Sequence, residues 1–295
     1  MKNKIILRKI TIEFVIFLKL LWEGYIIKIS FSTLGCPDWS WQKILDESTN
    51  LGFSGMEIRG IEGEMYLSRI KYFNDENIKS TLAELRKRNL EIVSLNTSAN
   101  FHDSAKFDSA VIEAKESIDL AEKLGVKYIR IFGDRILDMS KREETLDLIA
   151  SGWAEVYKYS EYKEVTPLVE VHGDFNNIKI FKDILKKFNH PKFSVLWDIE
   201  HTYKVYEDNF LEFFGYIRPY VKHVHIKDTR KINGEWKLCN IGEGEIPIPK
   251  IIQLLAATNY NGYVSLEWEK KWHPELAECD IAFPGFMTYM KKILF

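Results

Sequence analysis

The chain has 295 residues, 46% of them hydrophobic, which is enough to bury a large core in one domain or in two small ones. Its 41 basic and 43 acidic residues nearly cancel, and this excludes the strong uniform charge that attracts nucleic acid or an anionic membrane surface. A small, weakly charged substrate fits this composition better. The cysteines lie far apart and show no CxxC spacing, which favours a reducing, cytoplasmic setting.

The first 26 residues differ from the rest of the chain. The apolar run Ile10–Trp22 contains Glu13 and Lys19, so it is too short and too charged to span a bilayer comfortably. The residues that follow it do not form the small-residue cleavage site of a signal peptide. We therefore interpret residues 1–26 as an N-terminal extension that forms a helix. An amphipathic helix lying on a membrane surface is the alternative.

From Ile27 onward, short β-branched runs alternate with amphipathic stretches of helical period. Strands are predicted over residues 27–32, 55–60, 91–96, 127–133, 167–173, 193–198, 222–228 and 262–269. Helices are predicted over residues 40–51, 77–88, 105–124, 143–159, 177–188, 209–218, 247–258 and 276–294. This alternation predicts an α/β fold, a single (β/α)8 TIM barrel over residues 27–295. A doubly wound open sheet is disfavoured because the phosphate-binding motifs GxGxxG and GxxxxGKS/T are absent.

Four ionisable residues interrupt the apolar pattern at the ends of strands five to eight. They are Glu170, Asp198, His225 and Glu267. A buried parallel strand is normally apolar throughout, and the active sites of TIM barrels lie at the carboxyl ends of the strands. Because strands five to eight are consecutive neighbours in a barrel, these four side chains are expected to converge.

Three carboxylates in one place repel one another unless a cation lies between them. Each residue alone is more often a helix cap, a salt-bridge partner or a satisfied core residue, but their joint occurrence on four consecutive strands favours metal ligation. Oxygen ligands with one imidazole suit manganese, magnesium or cobalt better than the sulfur-rich sites of structural zinc. We expect one divalent ion per chain, with manganese preferred and magnesium, cobalt or zinc as alternatives.

Several motifs resemble the sugar phosphate isomerase/epimerase family of the xylose-isomerase-like TIM barrel superfamily, over about residues 28–294. They are FSTLGCPDW, GFSGMEIRG, DIEH, HVHIKD and the long segment from GEGEIPIPK to SLEWE. The resemblance implies that the residues at the ends of strands five to eight bind one divalent metal. It also implies that further residues contact the substrate. Members of this family are often oligomers. The implied substrate-binding residues are His172, His201, Lys227 and Arg230.

Other side chains near the strand ends are weaker candidates for the pocket. Aromatic residues can stack on the C–H face of a sugar, although packing is the ordinary alternative. Those near strand ends are Trp39, Phe101, Trp268 and Trp272, and Trp268 is the one predicted to bind substrate. The ends of strands two and three contribute Glu57, Asn96 and His102.

The expected function is a divalent-metal-dependent isomerase or epimerase of a small sugar, ketose or polyol derivative. A proton next to a carbonyl is removed, a metal-stabilised enediolate forms, and Glu170 and Glu267 serve as the acid/base pair. The expected partners are a small sugar or polyol substrate and a second copy of the chain, with no nucleic acid and no membrane.

Three alternatives stay open at this point. A metal-dependent lyase or dehydratase acting on a keto-polyol uses the same first proton transfer. An apurinic endonuclease-like nuclease needs more histidine and acidic ligands than strand ends one to four supply, and a net charge of −2 does not favour it. A non-catalytic sugar-binding barrel has no need of both glutamates. The sequence leaves the substrate, its stereochemistry, the metal and the oligomeric state undetermined.

Overall fold

A computed structural model describes residues 27–294, so the interpretation of residues 1–26 lies outside the described part. Eight parallel strands close into a barrel, in which β1 pairs with both β2 and β10. They are β1 (Lys28–Ser32), β2 (Gly55–Ile58), β3 (Glu91–Asn100), β4 (Tyr128–Phe132), β5 (Thr166–Glu170), β6 (Val195–Asp198), β7 (Val221–Ile226) and β10 (Tyr263–Leu266). The predicted TIM barrel is confirmed.

Helices cover the outside of the barrel. They are α1 (Trp41–Leu51), α2 (Ile78–Lys87), α3 (Phe107–Leu124), α4 (Arg142–Tyr159), α5 (Ile178–Lys187), α6 (Ile199–Tyr206), α7 (Phe210–Ile217), α8 (Ile248–Ala257) and α9 (Cys279–Leu294). Eight of them match the predicted helices to within a few residues. Among residues 27–294, no helix combines the length and apolar character needed to cross a membrane.

Local signals explain where the helices begin and end. The Ser40 hydroxyl accepts a hydrogen bond from the Lys43 backbone N–H at the start of α1, which is the usual role of a serine N-cap. Gly52 ends this helix and Gly125 ends α3, both with a positive φ that side chains disfavour. These caps direct the chain back toward the next strand of the barrel.

The interior of the barrel is unusually polar for a buried sheet. Glu57 on β2, Asn96 on β3 and both His223 and His225 on β7 are fully buried. The two histidines are separated by one residue, so they lie on the same face of their strand. Inward-facing polar residues are expensive unless they pair, and here they pair with one another across the barrel.

Several elements differ from the sequence expectation. The strands predicted over residues 167–173, 222–228 and 262–269 were too long, because β5 ends at Glu170, β7 at Ile226 and β10 at Leu266, whereas β3 continues to Asn100. The helix α6, which begins directly after Asp198, was not predicted. After β7, the chain forms an antiparallel hairpin of β8 (Asp228–Ile232) and β9 (Glu235–Cys239). Its turn is Asn233–Gly234, with a positive φ at both residues, the usual chemistry of a tight hairpin.

Asp228 anchors this hairpin to the segment that leads into α8. Its carboxylate accepts backbone N–H groups from Thr229 at 2.9 Å, Gly242 at 2.8 Å, Gly244 at 3.0 Å and Ile246 at 3.3 Å. A Cβ atom at Gly244 would lie 2.0 Å from Asp228 Oδ1, so only glycine allows this approach. One buried carboxylate therefore fixes the loop that follows β9.

We expect Asp228→Ala to lower the free energy of unfolding by about 3 kcal/mol, because several backbone N–H groups lose their acceptor. Urea denaturation of the full chain measures the change, and hydrogen exchange should be faster in residues 240–246. Asp38→Ala, at an exposed aspartate, is the matched control. Equal stability of the two variants would contradict the anchoring role.

Candidate metal centre

The four ionisable strand-end residues meet at the carboxyl end of the barrel. Glu170, Asp198, His225 and Glu267 each offer a ligand atom, and these atoms lie within 4.8 Å of one another. All four are buried, and none is more than 3% exposed. We call these four residues the acidic cluster. The convergence expected from consecutive strands is therefore present in the structure.

The two carboxylate oxygens of Asp198 make different contacts. Oδ1 accepts hydrogen bonds from the backbone N–H groups of Glu200 at 2.9 Å and His201 at 3.1 Å, and so caps the start of α6. Oδ2 is buried and faces the cluster, where it lies 2.8 Å from Lys227 Nζ. The cap thus holds the side chain in an orientation that leaves one oxygen for the cluster.

Glu57 orients His225 from across the barrel. His225 Nε2–H donates to Glu57 Oε2 at 2.8 Å, and His223 Nε2–H donates to Oε1 at 2.7 Å. Asn96 also donates to Glu57. Although burial acts in the opposite direction, the two histidines lower the pKa of Glu57 well below its ordinary value. His225 Nδ1 faces the acidic cluster, 3.1 Å from Glu267 Oε2 and 3.7 Å from Asp198 Oδ2.

Two buried cations offset part of the negative charge. Arg130 Nη1 lies 2.9 Å from Glu170 Oε2 and 3.3 Å from Glu267 Oε1. Lys227 Nζ lies 2.8 Å from both Asp198 Oδ2 and Glu267 Oε2. Although burial opposes the shift, these carboxylates raise the pKa of Lys227 well above its ordinary value. Lys227 therefore stays charged.

The two glutamates of the cluster have different pKa values because their neighbours differ. Burial raises the pKa of Glu170, even though Arg130 opposes this change. Burial acts in the same direction on Glu267, but His225 and Lys227 outweigh it and lower its pKa well below the ordinary value. Paired carboxyl groups with separated pKa values are typical of acid/base sites.

The donor set fits a divalent cation. Asp198 Oδ2 and His225 Nδ1 are buried ligand atoms that lie 3.7 Å apart and face the other carboxylates of the acidic cluster. A carboxylate behind a histidine, as Glu57 lies behind His225, is the usual support of a metal-ligating imidazole. Three carboxylates and one imidazole form the oxygen-rich set that manganese or magnesium prefers.

A cavity of about 310 Å³ opens beside the acidic cluster. Three of the residues predicted to bind substrate line it, namely His172, His201 and Lys227. His172 Nδ1–H donates to Asp134 Oδ1 at 2.7 Å, and the rings of His172 and His201 are in edge contact, with centroids 4.3 Å apart. Burial lowers the pKa of His201 to about 3, so this imidazole is neutral.

Two residues predicted to bind substrate do not reach the cavity. Arg230 is exposed on β8, because β7 ends before it and the chain turns into the hairpin. Trp268 is buried, and its indole N–H donates to the Ala277 carbonyl at 2.9 Å. The tryptophan that lines the cavity is Trp272, which is 52% exposed.

Sequence reasoning missed Arg59, Arg130 and Asp134, which all line the cavity. A signal was present for the two arginines, because each stands in or beside a short apolar strand, where a buried charge is costly unless it is paired. Asp134 is marked only by its backbone, whose φ of 69° is rare for a residue other than glycine.

A larger cavity, of about 490 Å³, lies at the opposite end of the barrel, near Lys28, Tyr128 and Tyr263. These residues stand at the amino ends of their strands, the face that serves stability in TIM barrels. The potential metal ligands of the acidic cluster lie at the other end. The smaller cavity is therefore the candidate site.

We expect Arg130→Leu to lower the free energy of unfolding of metal-free protein by about 3 kcal/mol, because it leaves Glu170 and Glu267 buried without their shared cation. Denaturation in the presence of a chelator measures the loss. Arg130→Lys should lose less, and Arg86→Leu, at an exposed arginine, controls for the added leucine. Unchanged stability of Arg130→Leu would show that the ion pairs contribute nothing.

Comparison with solved structures places the barrel among known folds. The probable 3-DHS dehydratase AsbF of Bacillus anthracis superposes with a TM-score of 0.71 at 19% identity, covering 90% of this chain and 99% of that one. The 3-keto-D-glucoside 4-epimerase YcjR of E. coli gives 0.71 at 14% identity, covering 90% and 100%. The IolI protein with a bound zinc atom gives 0.68 at 18% identity, covering 91% and 98%.

At these identities the likeness concerns the fold, and no curated protein matches the sequence. A family model does match, over residues 45–283, and it describes the xylose isomerase-like TIM barrel. This match covers most of the chain and includes β2 to β10 with all four residues of the acidic cluster. The chain therefore belongs to the family of xylose isomerase-like TIM barrels.

Proposed function

We propose that the protein is a divalent-metal-dependent isomerase or epimerase of a small sugar, ketose or polyol derivative. The observation that carries this proposal is the acidic cluster, in which three carboxylates and one imidazole from four neighbouring strands are buried with ligand atoms within 4.8 Å of one another. Carboxylates buried this close together repel one another, and a divalent cation relieves that repulsion. An adjacent cavity of about 310 Å³ is of a size that holds a small sugar.

Glu170, Asp198, His225 and Glu267 would hold the ion, with manganese as our first choice. When bound, a divalent cation acts as a Lewis acid that polarises a carbonyl and stabilises negative charge on its oxygen. One structural relative contains zinc, which supports metal binding in this fold without selecting the metal.

Glu170 and Glu267 are proposed to move the proton. Glu170 has the raised pKa that suits a group which both accepts and returns a proton, whereas Glu267 is held ionised by His225 and Lys227. Arg130 bridges the two carboxylates and fixes their separation. The neutral imidazole of His201 is suited to donate a hydrogen bond to a substrate hydroxyl.

A lyase or dehydratase acting on a keto-polyol is the second candidate, and one specific contact favours it. His172 donates to Asp134, and although burial opposes the shift, this bond and the nearby Glu170 raise the pKa of His172. A protonated imidazole at the cavity wall can protonate a leaving hydroxyl after the first proton is removed. The structural likeness to AsbF, named as a dehydratase, supports the same candidate.

We expect purified wild-type protein, stripped by mild chelation and reloaded with manganese, to retain about one equivalent of metal. Asp198→Asn should retain much less, because it removes the charge of Oδ2 while an amide oxygen can still cap α6. Mass spectrometry measures the metal content. Asp134→Asn, which removes a charge from the same cavity outside the acidic cluster, is the control. Equal retention by all three proteins would contradict the assignment of the ligand.

We expect the manganese-loaded protein to exchange one substrate C–H with solvent deuterium in a panel of ketoses and keto-inositols. Proton NMR detects the loss of a single C–H signal. Glu170→Gln should slow the exchange at least about 100-fold, because the acid/base group is removed. Metal content is determined in the same samples, so that slow exchange with full occupancy can be assigned to the lost proton transfer.

The same experiment separates the two candidates. An isomerase or epimerase returns the proton to the carbon skeleton and yields an isomeric sugar. A lyase releases water and produces the absorbance of an enone. Exchange in no compound, from protein that carries its metal, would argue against proton transfer next to a carbonyl.

A further inference from the structure

Arg59 lies in the cavity wall at the carboxyl end of β2 and has unused hydrogen-bonding capacity. The residue is 7% exposed and lines the cavity. Its Nη2 donates to Ser98 Oγ at 2.6 Å, but Nη1 is buried without any partner. No carboxylate oxygen of residues 27–294 lies within ion-pair distance of this guanidinium. A buried, unsatisfied cationic donor is costly and calls for a partner from outside the chain.

A second guanidinium lies beside Arg59. Arg130 Nη2 donates to the Thr97 carbonyl at 3.0 Å, so Arg59 and Arg130 donate to consecutive residues of β3. Burial first and then the charge of Arg130 lower the pKa of Arg59 to about 10, although Glu113, Glu267 and Glu170 oppose this shift. Arg130 forms ion pairs with Glu170 and Glu267, whereas Nη1 of Arg59 has no acceptor.

Asn100 supplies the complementary unused group. It is the last residue of β3, it lines the same cavity, and its Oδ1 is buried without a partner. An amide oxygen requires a donor, whereas Nη1 of Arg59 requires an acceptor. A ligand that satisfies both must therefore carry an anionic acceptor and a hydroxyl group close together.

We propose that Arg59 binds the carboxylate of the substrate, which places the substrate among sugar acids that carry a carbonyl group rather than among neutral sugars. This inference rests on the proposed function, because the acidic cluster then receives the carbonyl end of the same molecule. Asn100 accepts a hydrogen bond from a hydroxyl of the ligand. A carboxylate suits a single guanidinium nitrogen without a partner, here Nη1, in a cavity of about 310 Å³, whereas a phosphate dianion requires more donors.

The test uses pairs of sugars that differ only by a carboxylate: D-glucuronate with D-glucose, and D-galacturonate with D-galactose. Calorimetric titration of the manganese-loaded full chain measures the affinity for each. We expect each uronate to bind about 10- to 100-fold more tightly than its neutral partner, and this preference to disappear in Arg59→Gln. Arg59→Lys keeps the charge and should keep part of the preference.

Arg135→Gln is the matched control, because Arg135 is exposed near the cavity and its substitution removes the same charge. Its preference for uronates should equal that of the wild type. Equal binding of uronates and neutral sugars, a preference that survives in Arg59→Gln, or no binding of any of the four compounds would each overturn the inference. Tighter binding of inorganic phosphate than of the uronates would also overturn it.

The titrations are repeated after chelation, which separates this inference from the proposed function. A preference for uronates that depends on Arg59 and persists after chelation would support the carboxylate site even if metal retention and deuterium exchange fail. Metal retention and deuterium exchange without a preference for uronates would support the proposed function and overturn the carboxylate site.

Discussion

Four buried carboxylates repel one another at the carboxyl end of the barrel, and the arrangement of the site depends on how the neighbouring groups offset this repulsion. The four are Glu57, Glu170, Asp198 and Glu267. In a poorly solvated interior such groups stay ionised only if cations or donors lie against them. Arg130 and Lys227 supply full charges, and the histidines of β7 supply N–H donors. The four carboxylates still outnumber these two full charges, and a divalent cation would complete the balance.

This arrangement requires a closed barrel. Glu57 comes from β2 and His225 from β7, and the two strands are not neighbours in the sheet, so the hydrogen bond between them crosses the interior. The polar interior is thus the support of the histidine rather than a defect of packing. The apolar core lies mainly between the strands and the covering helices, where it does not compete with the site.

The alternation of strands and helices was enough to predict the barrel, because period-2 and period-3.6 patterns are local properties of the chain. The acidic cluster was predictable for a related reason, since charges at four successive strand ends stand out against apolar runs. The contact through which Glu57 orients His225 could not be predicted, because the two residues lie 168 positions apart in the sequence. The family resemblance implied that Arg230 contacts the substrate, but β7 ends at Ile226 and Arg230 lies in the hairpin that follows. The helix α6 was not predicted, although a helix cap was the ordinary alternative role for Asp198.

The acidic cluster forms only when the barrel closes. The strand β10, which precedes Glu267, pairs with β1 and β7, and it is the last strand of the barrel to leave a ribosome. Until it docks, Glu170, Asp198 and His225 lack their fourth member, and β1 has an open edge. Long-range pairing of this kind forms late in folding. An unfinished chain therefore carries an incomplete acidic cluster, and its four members come together only when β10 docks.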